Sequence, residues 1–270
     1  MLTSLQNPLV KSIRKLHQSK GRRSQQQFLL EGTHLIQEAL ATDYPLTTVC
    51  YTPSWAQTHG DIASALEQRA DRVEPVSETV LEAMATTQHP DGVLAVAPQI
   101  LLAPDPSEPE LGLAVEALQD PGNLGTIIRT AVATGVDGLW LSADSVAPDH
   151  PKVLRASAGQ WFRLPMAVDH DLGAQLASWQ RAGVQLVATS SYATLDYWAI
   201  DFTQPTILVL GNEGAGLSER LQGQATLKVR IPMMGGVESL NVGISAALLL
   251  YEAQRQRWEK EKMSGGGPSG

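Results

Sequence analysis

Cysteine is almost missing from this chain. Cys50 stands alone among 270 residues, which excludes an internal disulfide and a cysteine-rich zinc site. The six histidines, at 17, 34, 59, 89, 150 and 170, have no tight ligand spacing, so no metal site is expected. No run of about 18 apolar residues is present, so no helix is expected to span a membrane. The first residues lack the apolar core of a secretory signal. These absences lead to the expectation of a cytoplasmic protein. Acidic residues are also missing, but only locally. Residues 1–30 contain Lys11, Arg14, Lys15, Lys20, Arg22 and Arg23 and no Asp or Glu, in a chain whose net charge is −8. A basic segment in an acidic chain fits a footprint for RNA phosphates, carried here by Arg14, Lys15, Arg22 and Arg23. A solvated, partly frayed helix fits the same residues.

What is present is a core and a pattern. Hydrophobic residues make up 43% of the chain and charged residues 18%, ordinary values for a protein that buries an interior. Pro98, Pro104, Pro106 and Pro109 crowd into twelve residues, where neither a helix interior nor a central strand can continue. Residues 98–112 therefore read as a linker. The stretch before it, 1–97, reads as a small α/β domain, with strands near 28–32, 47–52 and 93–97 and helices near 34–40, 61–70 and 77–85. The stretch after it, 113–259, alternates more regularly. Strands are expected near 113–118, 138–142, 164–168, 184–190, 206–210 and 226–231. Helices are expected near 125–134, 150–158, 171–182, 217–221 and 240–259. Such alternation predicts an α/β fold with a mainly parallel sheet. The last helix begins almost wholly apolar, so its first half is expected to be buried on most sides, against the sheet or a second subunit. Residues 260–270 read as a flexible tail. Gly265, Gly267 and Gly270 formally match a dinucleotide fingerprint, but no strand precedes them and no helix follows.

Three loops in the second half carry polar residues directly after apolar runs, and loops at the carboxyl ends of parallel strands are where ligands bind. The first contains Asn123 and Arg129 with Gly125 and Thr126 between them. Asn123 is placed to cap a helix starting near Leu124. Arg129, flanked by Ile127, Ile128 and Ala131, is expected to be partly buried. It serves either an intramolecular ion pair or a phosphate. The second loop, Gly211-Asn212-Glu213-Gly214-Ala215-Gly216, has backbone suited to close approach of a ligand, or is a glycine-rich turn with Glu213 in water. The third runs from Pro232 to Asn241. Ser239 is placed to cap the last helix, leaving Asn241 in its first turn, where asparagine is a poor helix former.

Taken in order, the loops are more specific than any one of them. Asn-x-Gly-x-x-x-Arg-Thr-Ala, then Leu-Gly-Asn-Glu-Gly-x-Gly, then Ile-Pro-Met-x-Gly-x-x-Glu-Ser-Leu-Asn-Val resemble the three motifs of the SpoU family. These are S-adenosylmethionine-dependent RNA ribose 2′-O-methyltransferases of the SPOUT superfamily. The resemblance spans roughly residues 111–258. Residues 3–16 and 27–40 resemble, more loosely, the ribosomal-protein-like substrate-binding extension of larger members. Gly243 departs from the serine found in many relatives, beyond the functional part of the motif.

The resemblance implies a trefoil-knotted methyltransferase domain, a homodimer formed through it, and an RNA partner, ribosomal or transfer RNA with ribosomal favoured, whose identity the sequence does not name. It implies catalytic roles for Asn123, Arg129, Glu213, Ser239 and Asn241, and a cofactor pocket at Leu210, Gly211, Gly216, Ile231, Met233 and Leu240. The implied reaction is attack of a ribose 2′-hydroxyl on a sulfonium methyl. Arginine is always protonated and so a poor free base. Arg129 is therefore expected to hold the neighbouring phosphate and stabilise the forming alkoxide, with Glu213, Ser239 and Asn241 orienting Arg129, the ribose and the cofactor. Two rivals remain: a non-catalytic RNA- or cofactor-binding module, disfavoured by the intact residue set, and a dinucleotide-dependent oxidoreductase, disfavoured by the misplaced fingerprint.

Overall fold

The computed structural model describes residues 1–105, 107 and 109–263. Two linker residues, Pro106 and Glu108, and the stretch 264–270 that was expected to be a flexible tail lie outside the described residues. The chain forms two compact units: Met1–Ile100 with Ala147–Arg163, and Leu101–Val146 with Leu164–Gly270.

The first unit holds a four-stranded sheet. Its strands are β1 (Gln27–Glu31), β2 (Thr48–Tyr51), β3 (Val73–Pro75) and β4 (Val93–Pro98), in spatial order β1-β4-β2-β3. β4 is antiparallel to both its neighbours, and β2 runs parallel to β3. The first helix, Pro8–Lys15, starts under the Asn7 side chain, which accepts from the Leu9 N–H, with Pro8 at the first position. Its Val10 and Ile13, with Leu16 just beyond, enter a core with Leu29, Val80, Leu81 and Met84. Cys50 is buried in the same core, and burial pushes its thiol up to about 12, so it is a packing residue and not a nucleophile.

The segment 147–163 belongs with this unit for a physical reason. Trp161 lies 5.1 Å from Phe28 and Phe162 lies 5.1 Å from Tyr44, ring centre to ring centre. Three ion pairs join them: Arg155 to Glu31, Arg163 to Glu38 and Arg22 to Asp149. Arg22, read from sequence as a phosphate contact, is corrected by this. It is 2% exposed, its Nε sits 3.1 Å from Asp149 Oδ2, and its Nη1 donates to the carbonyls of Leu16 and His17. A cation buried and occupied in this way has no surface to offer an RNA. Arg14, Lys15 and Arg23 are exposed, as are Lys11 and Lys20.

The second unit is built on seven strands: β5 (Leu111–Val115), β6 (Gly138–Ser142), β7 (Met166–Asp169), β8 (Gln185–Thr189), β9 (Leu195–Asp196), β10 (Thr206–Leu210) and β11 (Leu227–Arg230). All the pairings are parallel, in the order β7-β6-β5-β10-β8-β11-β9. β5 and β10 are buried at every residue, as expected for central strands covered on both faces. On one face Leu172, Leu176 and Trp179 of a helix meet Trp140, Leu186, Ile207 and Val209. The other face carries the Pro121–Ala133 helix, which buries Leu124, Ile127, Ile128 and Ala131, and the final helix, Val242–Met263, packed against it.

One expectation changes here, and another is met only in part within the single chain. The final helix continues through residues 260–263, read from sequence as tail. Its apolar start is buried on one side only. Val242, Ala246, Leu249 and Leu250 are inside, while Ile244, Leu248 and Tyr251 are 51%, 37% and 53% exposed.

Candidate methyltransferase site

Because the whole sheet is parallel, the loops that leave β5, β10, β8 and β11 leave the same edge, and those four strands are consecutive neighbours. Convergence of the polar loops is thus a consequence of strand order. The residue that ties them together is Asn123. Its Nδ2 donates to Glu213 Oε1 at 3.1 Å, and its Oδ1 accepts from Asn241 Nδ2 at 2.7 Å. One side chain therefore links the loop after β5, the loop after β10 and the loop after β11.

Local chemistry fixes each end of this chain. Asp120, not Asn123, caps the Pro121–Ala133 helix: its Oδ1 accepts from the Asn123 N–H at 2.9 Å, with Pro121 at the first helical position. The dipeptide Asp-Pro was the available signal for that start. Moving the cap three residues upstream frees the Asn123 side chain for Glu213 and Asn241. Likewise Asn241, not Ser239, caps the final helix. Its Oδ1 accepts from the N–H groups of Gly243 at 2.9 Å and Ile244 at 3.3 Å. Ser239 lies before the helix, is exposed, and makes no hydrogen bond among the described residues.

Glu213 collects donors. Besides Asn123, the Asp120 N–H reaches it at 3.0 Å, the Gln119 N–H at 3.3 Å and Asn212 Nδ2 at 3.4 Å. Partial burial pushes its carboxyl up. The Asp120, own-backbone, Asn123 and Gln119 donors outweigh that and leave it below the ordinary carboxylate value. The carboxylate is therefore anionic at neutral pH. Asn212, which sequence reasoning did not single out, shapes the loop. Its Oδ1 accepts from the Gly214 and Ala215 N–H groups, each at 2.9 Å, and its Nδ2 donates to the Ala117 carbonyl at 2.8 Å. Asn212 and Gly216 exchange backbone hydrogen bonds at 3.0 Å. The turn is so tight that a Cβ on Gly211 would strike the backbone of Gly216 and Leu217. A side chain there deforms the loop before it obstructs anything else.

Beside this linkage opens a cleft of about 930 Å³, lined by Leu210, Gly211, Gly216, Ile231, Met233 and Leu240, together with Glu213 and Ser239. Its volume is in the range of cofactor pockets, roughly 300–1,000 Å³. Apolar side chains such as Leu210, Ile231 and Leu240 share the wall with polar ones such as Glu213, Gln222 and Ser239, a mixture that fits a purine ring, a ribose and a short charged chain. A fourth loop, Thr189–Tyr192, also lines it. The strand before that loop is legible in the sequence, but the loop has neither glycine nor a charged residue to draw attention. Arg129 and the cleft are separate. Arg129 does not line the cleft, is exposed, and its side chain has no hydrogen bond or ion pair among the described residues. The partial burial expected from its apolar neighbours is wrong: Ile127, Ile128 and Ala131 occupy the inner face of the helix, and Arg129 falls on the outer one. Among the described residues there is no cluster of three or more potential metal ligands and no helix long and apolar enough to cross a membrane.

Comparison with known proteins agrees with this architecture. Residues 110–251 match the SpoU rRNA Methylase family, and residues 7–95 match an MRM3-like substrate binding domain. The chain is 48% identical to an uncharacterized tRNA/rRNA methyltransferase of Synechocystis sp., over 95% of this chain and 94% of that one. It is 32% identical to the 23S rRNA (guanosine(2553)-2′-O)-methyltransferase RlmP of Bacillus subtilis, over 93% and 97% respectively. Among solved structures, the AdoMet-bound rRNA methyltransferase of Sinorhizobium meliloti superposes with a TM-score of 0.83 at 35% identity, covering 94% of this chain and 97% of that one. With its parallel sheet, its three linked loops and its substrate-binding unit, the chain belongs to the SpoU rRNA methylase family.

Proposed function

We propose that this protein transfers a methyl group from S-adenosylmethionine to a ribose 2′-hydroxyl of ribosomal RNA. The observation that carries the reading is the Glu213–Asn123–Asn241 linkage at the edge of the 930 Å³ cleft. The activities of the relatives support the cofactor, the 2′-O position and the preference for ribosomal over transfer RNA. When bound, S-adenosylmethionine supplies an electrophilic methyl on a sulfonium. Leu210, Gly211, Gly216, Ile231, Met233 and Leu240 would hold it.

The chain's own residues then do three things. Glu213 stays ionised and fixes the Asn123 amide, while Asn241 holds the other end of that amide. Ser239 presents a free hydroxyl on the cleft wall, able to hydrogen-bond the incoming ribose. Arg129, unpaired and in water, is available to grip the phosphate next to the target ribose with its planar fork and to stabilise the alkoxide as the hydroxyl loses its proton. The basic side chains of Arg14, Lys15 and Arg23 extend phosphate contacts to the substrate-binding unit.

A homodimer and the family's trefoil knot belong to the same reading. The dimer is supported by the half-exposed stripe Ile244, Leu248 and Tyr251, which lines a shallow depression with Thr126 of the Pro121–Ala133 helix. A surface of this kind fits a second copy. Sedimentation of the pure protein tests it: a single species at monomer mass removes the dimer. The activity itself is tested by incubating the protein with an in vitro ribosomal RNA transcript and methyl-labelled S-adenosylmethionine, then digesting the RNA to nucleosides. Label in a 2′-O-methyl nucleoside is the expected result. Label on a base, or none with any ribosomal transcript, sinks the reading.

A further inference from the structure

Tyr192 is 96% exposed, the most exposed aromatic side chain among the described residues. Its hydroxyl makes no hydrogen bond there. It nevertheless stands on a loop whose base is fixed. The Ser190 N–H donates to the Val229 carbonyl of the neighbouring strand at 2.9 Å, and Ser190 in turn receives the Tyr192 and Ala193 N–H groups at 3.3 and 3.2 Å. An anchored loop thus carries a ring almost wholly in water, on the wall of the cleft that holds Glu213 and Ser239. The opposite loop contributes Val237, 52% exposed, and Leu240, 36% exposed, to the same cleft. Large apolar groups left exposed around a cleft mark a place for a ligand.

We infer that Tyr192 is a stacking platform for a nucleobase of the RNA at the entrance of the methyl-transfer cleft. The inference rests on the function proposed above and adds a binding element to it. Where the target ribose lies in a single-stranded loop, bulge or end of the RNA, the bases beside it are unstacked, and an unstacked base needs a flat surface. An aromatic ring offers that surface to any base, since every base has a π-face. The cofactor's adenine has the same chemistry, but 96% exposure puts the ring outside the enclosed part of the cleft, on the side an RNA approaches. A second protein copy is less suited. The exposed stripe of Ile244, Leu248 and Tyr251 shares no lining residue with the Tyr192 cleft.

The test uses the full chain, an in vitro 23S ribosomal RNA transcript and S-adenosylhomocysteine as probes, with Tyr192→Ala, Tyr192→Leu, Tyr192→Phe and Tyr192→Trp. Loss of one stacked base corresponds to roughly a 5- to 150-fold weakening. Tyr192→Ala and Tyr192→Leu should lose that factor in transcript affinity and in KM, with kcat changed less. Tyr192→Phe and Tyr192→Trp should keep it. Melting temperature, S-adenosylhomocysteine affinity and sedimentation should be the same in all four. Leucine performing as well as phenylalanine would overturn the platform, as would a loss confined to S-adenosylhomocysteine affinity or a change in oligomeric state. A parent protein that methylates the transcript while all four variants bind it equally removes Tyr192 and leaves the enzyme. A parent that binds without methylating removes the enzyme, and the affinity series still decides for or against the platform. A parent that neither binds nor methylates the transcript overturns both.

Discussion

Arg22 and Arg129 are both helical arginines, and their surroundings are opposite. Arg22 lies on a helix of the first unit, is 2% exposed, and spends its guanidinium on Asp149 and two backbone carbonyls. Arg129 lies on the helix that carries Asn123, stands in water, and touches no acid among the described residues. A buried arginine held by an aspartate and two backbone carbonyls is a fastener. An exposed one with all five donors free is a ligand-binding group in waiting. The difference lies in which face of its helix each residue occupies, a property that neighbouring letters in the sequence report poorly.

The largest expected effect is on stability. Arg22→Ala leaves Asp149 without its cation in a closed environment, a change that costs about 3–5 kcal/mol. Urea unfolding should show it, with the first unit losing structure at lower denaturant. Arg23→Ala, one residue away and exposed, should leave the midpoint in place. A flat result for Arg22→Ala would make the ion pair ornamental and break the comparison from one side.

Arg129→Ala sharpens it from the other. A surface substitution that removes no hydrogen bond or ion pair moves stability by no more than about 0.5 kcal/mol, so melting temperature and S-adenosylhomocysteine affinity should hold. Single-turnover methylation should fall by on the order of 10²–10³. Arg129→Lys should recover little, because a point charge lacks the planar two-point grip. If the alanine variant keeps more than about a tenth of the parent rate, against that expected loss, Arg129 is no part of the chemistry.

The exposed cations of the first unit come next. Replacing Arg14, Lys15 and Arg23 by glutamine should flatten the dependence of RNA affinity on salt. The log–log slope should fall by about 0.7–0.9 for each RNA phosphate that is no longer neutralised. An unchanged salt slope would return this segment to a solvated helix. Asn123→Ala should then act on both properties that the arginines keep apart. It removes two hydrogen bonds, one of them to the charged Glu213, worth together about 2–4 kcal/mol before solvent screening, or roughly 2–4 °C in melting temperature per kcal/mol. It should also weaken S-adenosylhomocysteine binding by loosening the Glu213 loop. Asn123→Asp should be worse than alanine, since it sets a second carboxylate against Glu213.

Much of the fold is legible in the sequence. The alternation of apolar runs announces the sheet and most helices, because central parallel strands such as β5 and β10 must be apolar throughout. The three loops can be seen to matter because they follow those runs. The geometry that joins them cannot be seen. Whether Asn123 caps a helix or bridges two loops depends on where the helix starts, and Asp120 with Pro121 settles that three residues upstream. Ser239 and Asn241 exchange roles for a similar reason: both are good caps, and the helix starts after the second. β9, two residues long, and β3, three residues long, are too short for periodicity to register. The attachment of Ala147–Arg163 to the first unit rests on Trp161, Phe162 and three ion pairs, contacts distant in sequence that no local pattern encodes.

The smallest expected effect concerns Glu213 and pH. Its carboxyl titrates below the ordinary value because four hydrogen bonds favour the charged form more than partial burial opposes it. A group whose folded pKa is depressed contributes stability at pH above its unfolded pKa, about 4.3 for glutamate, and loses it as pH falls through the folded value. The melting-temperature difference between the parent and Glu213→Gln should therefore be constant from pH 8 down to roughly 5. It should shrink below that and be absent once Glu213 is protonated. Over the neutral range Glu213 does not change its charge, so it should contribute no inflection to the pH–rate profile of methyl transfer. An inflection between pH 6 and 8 that disappears in Glu213→Gln would mean that this carboxyl moves a proton in the reaction. In that case it would be more than a fixed acceptor orienting Asn123.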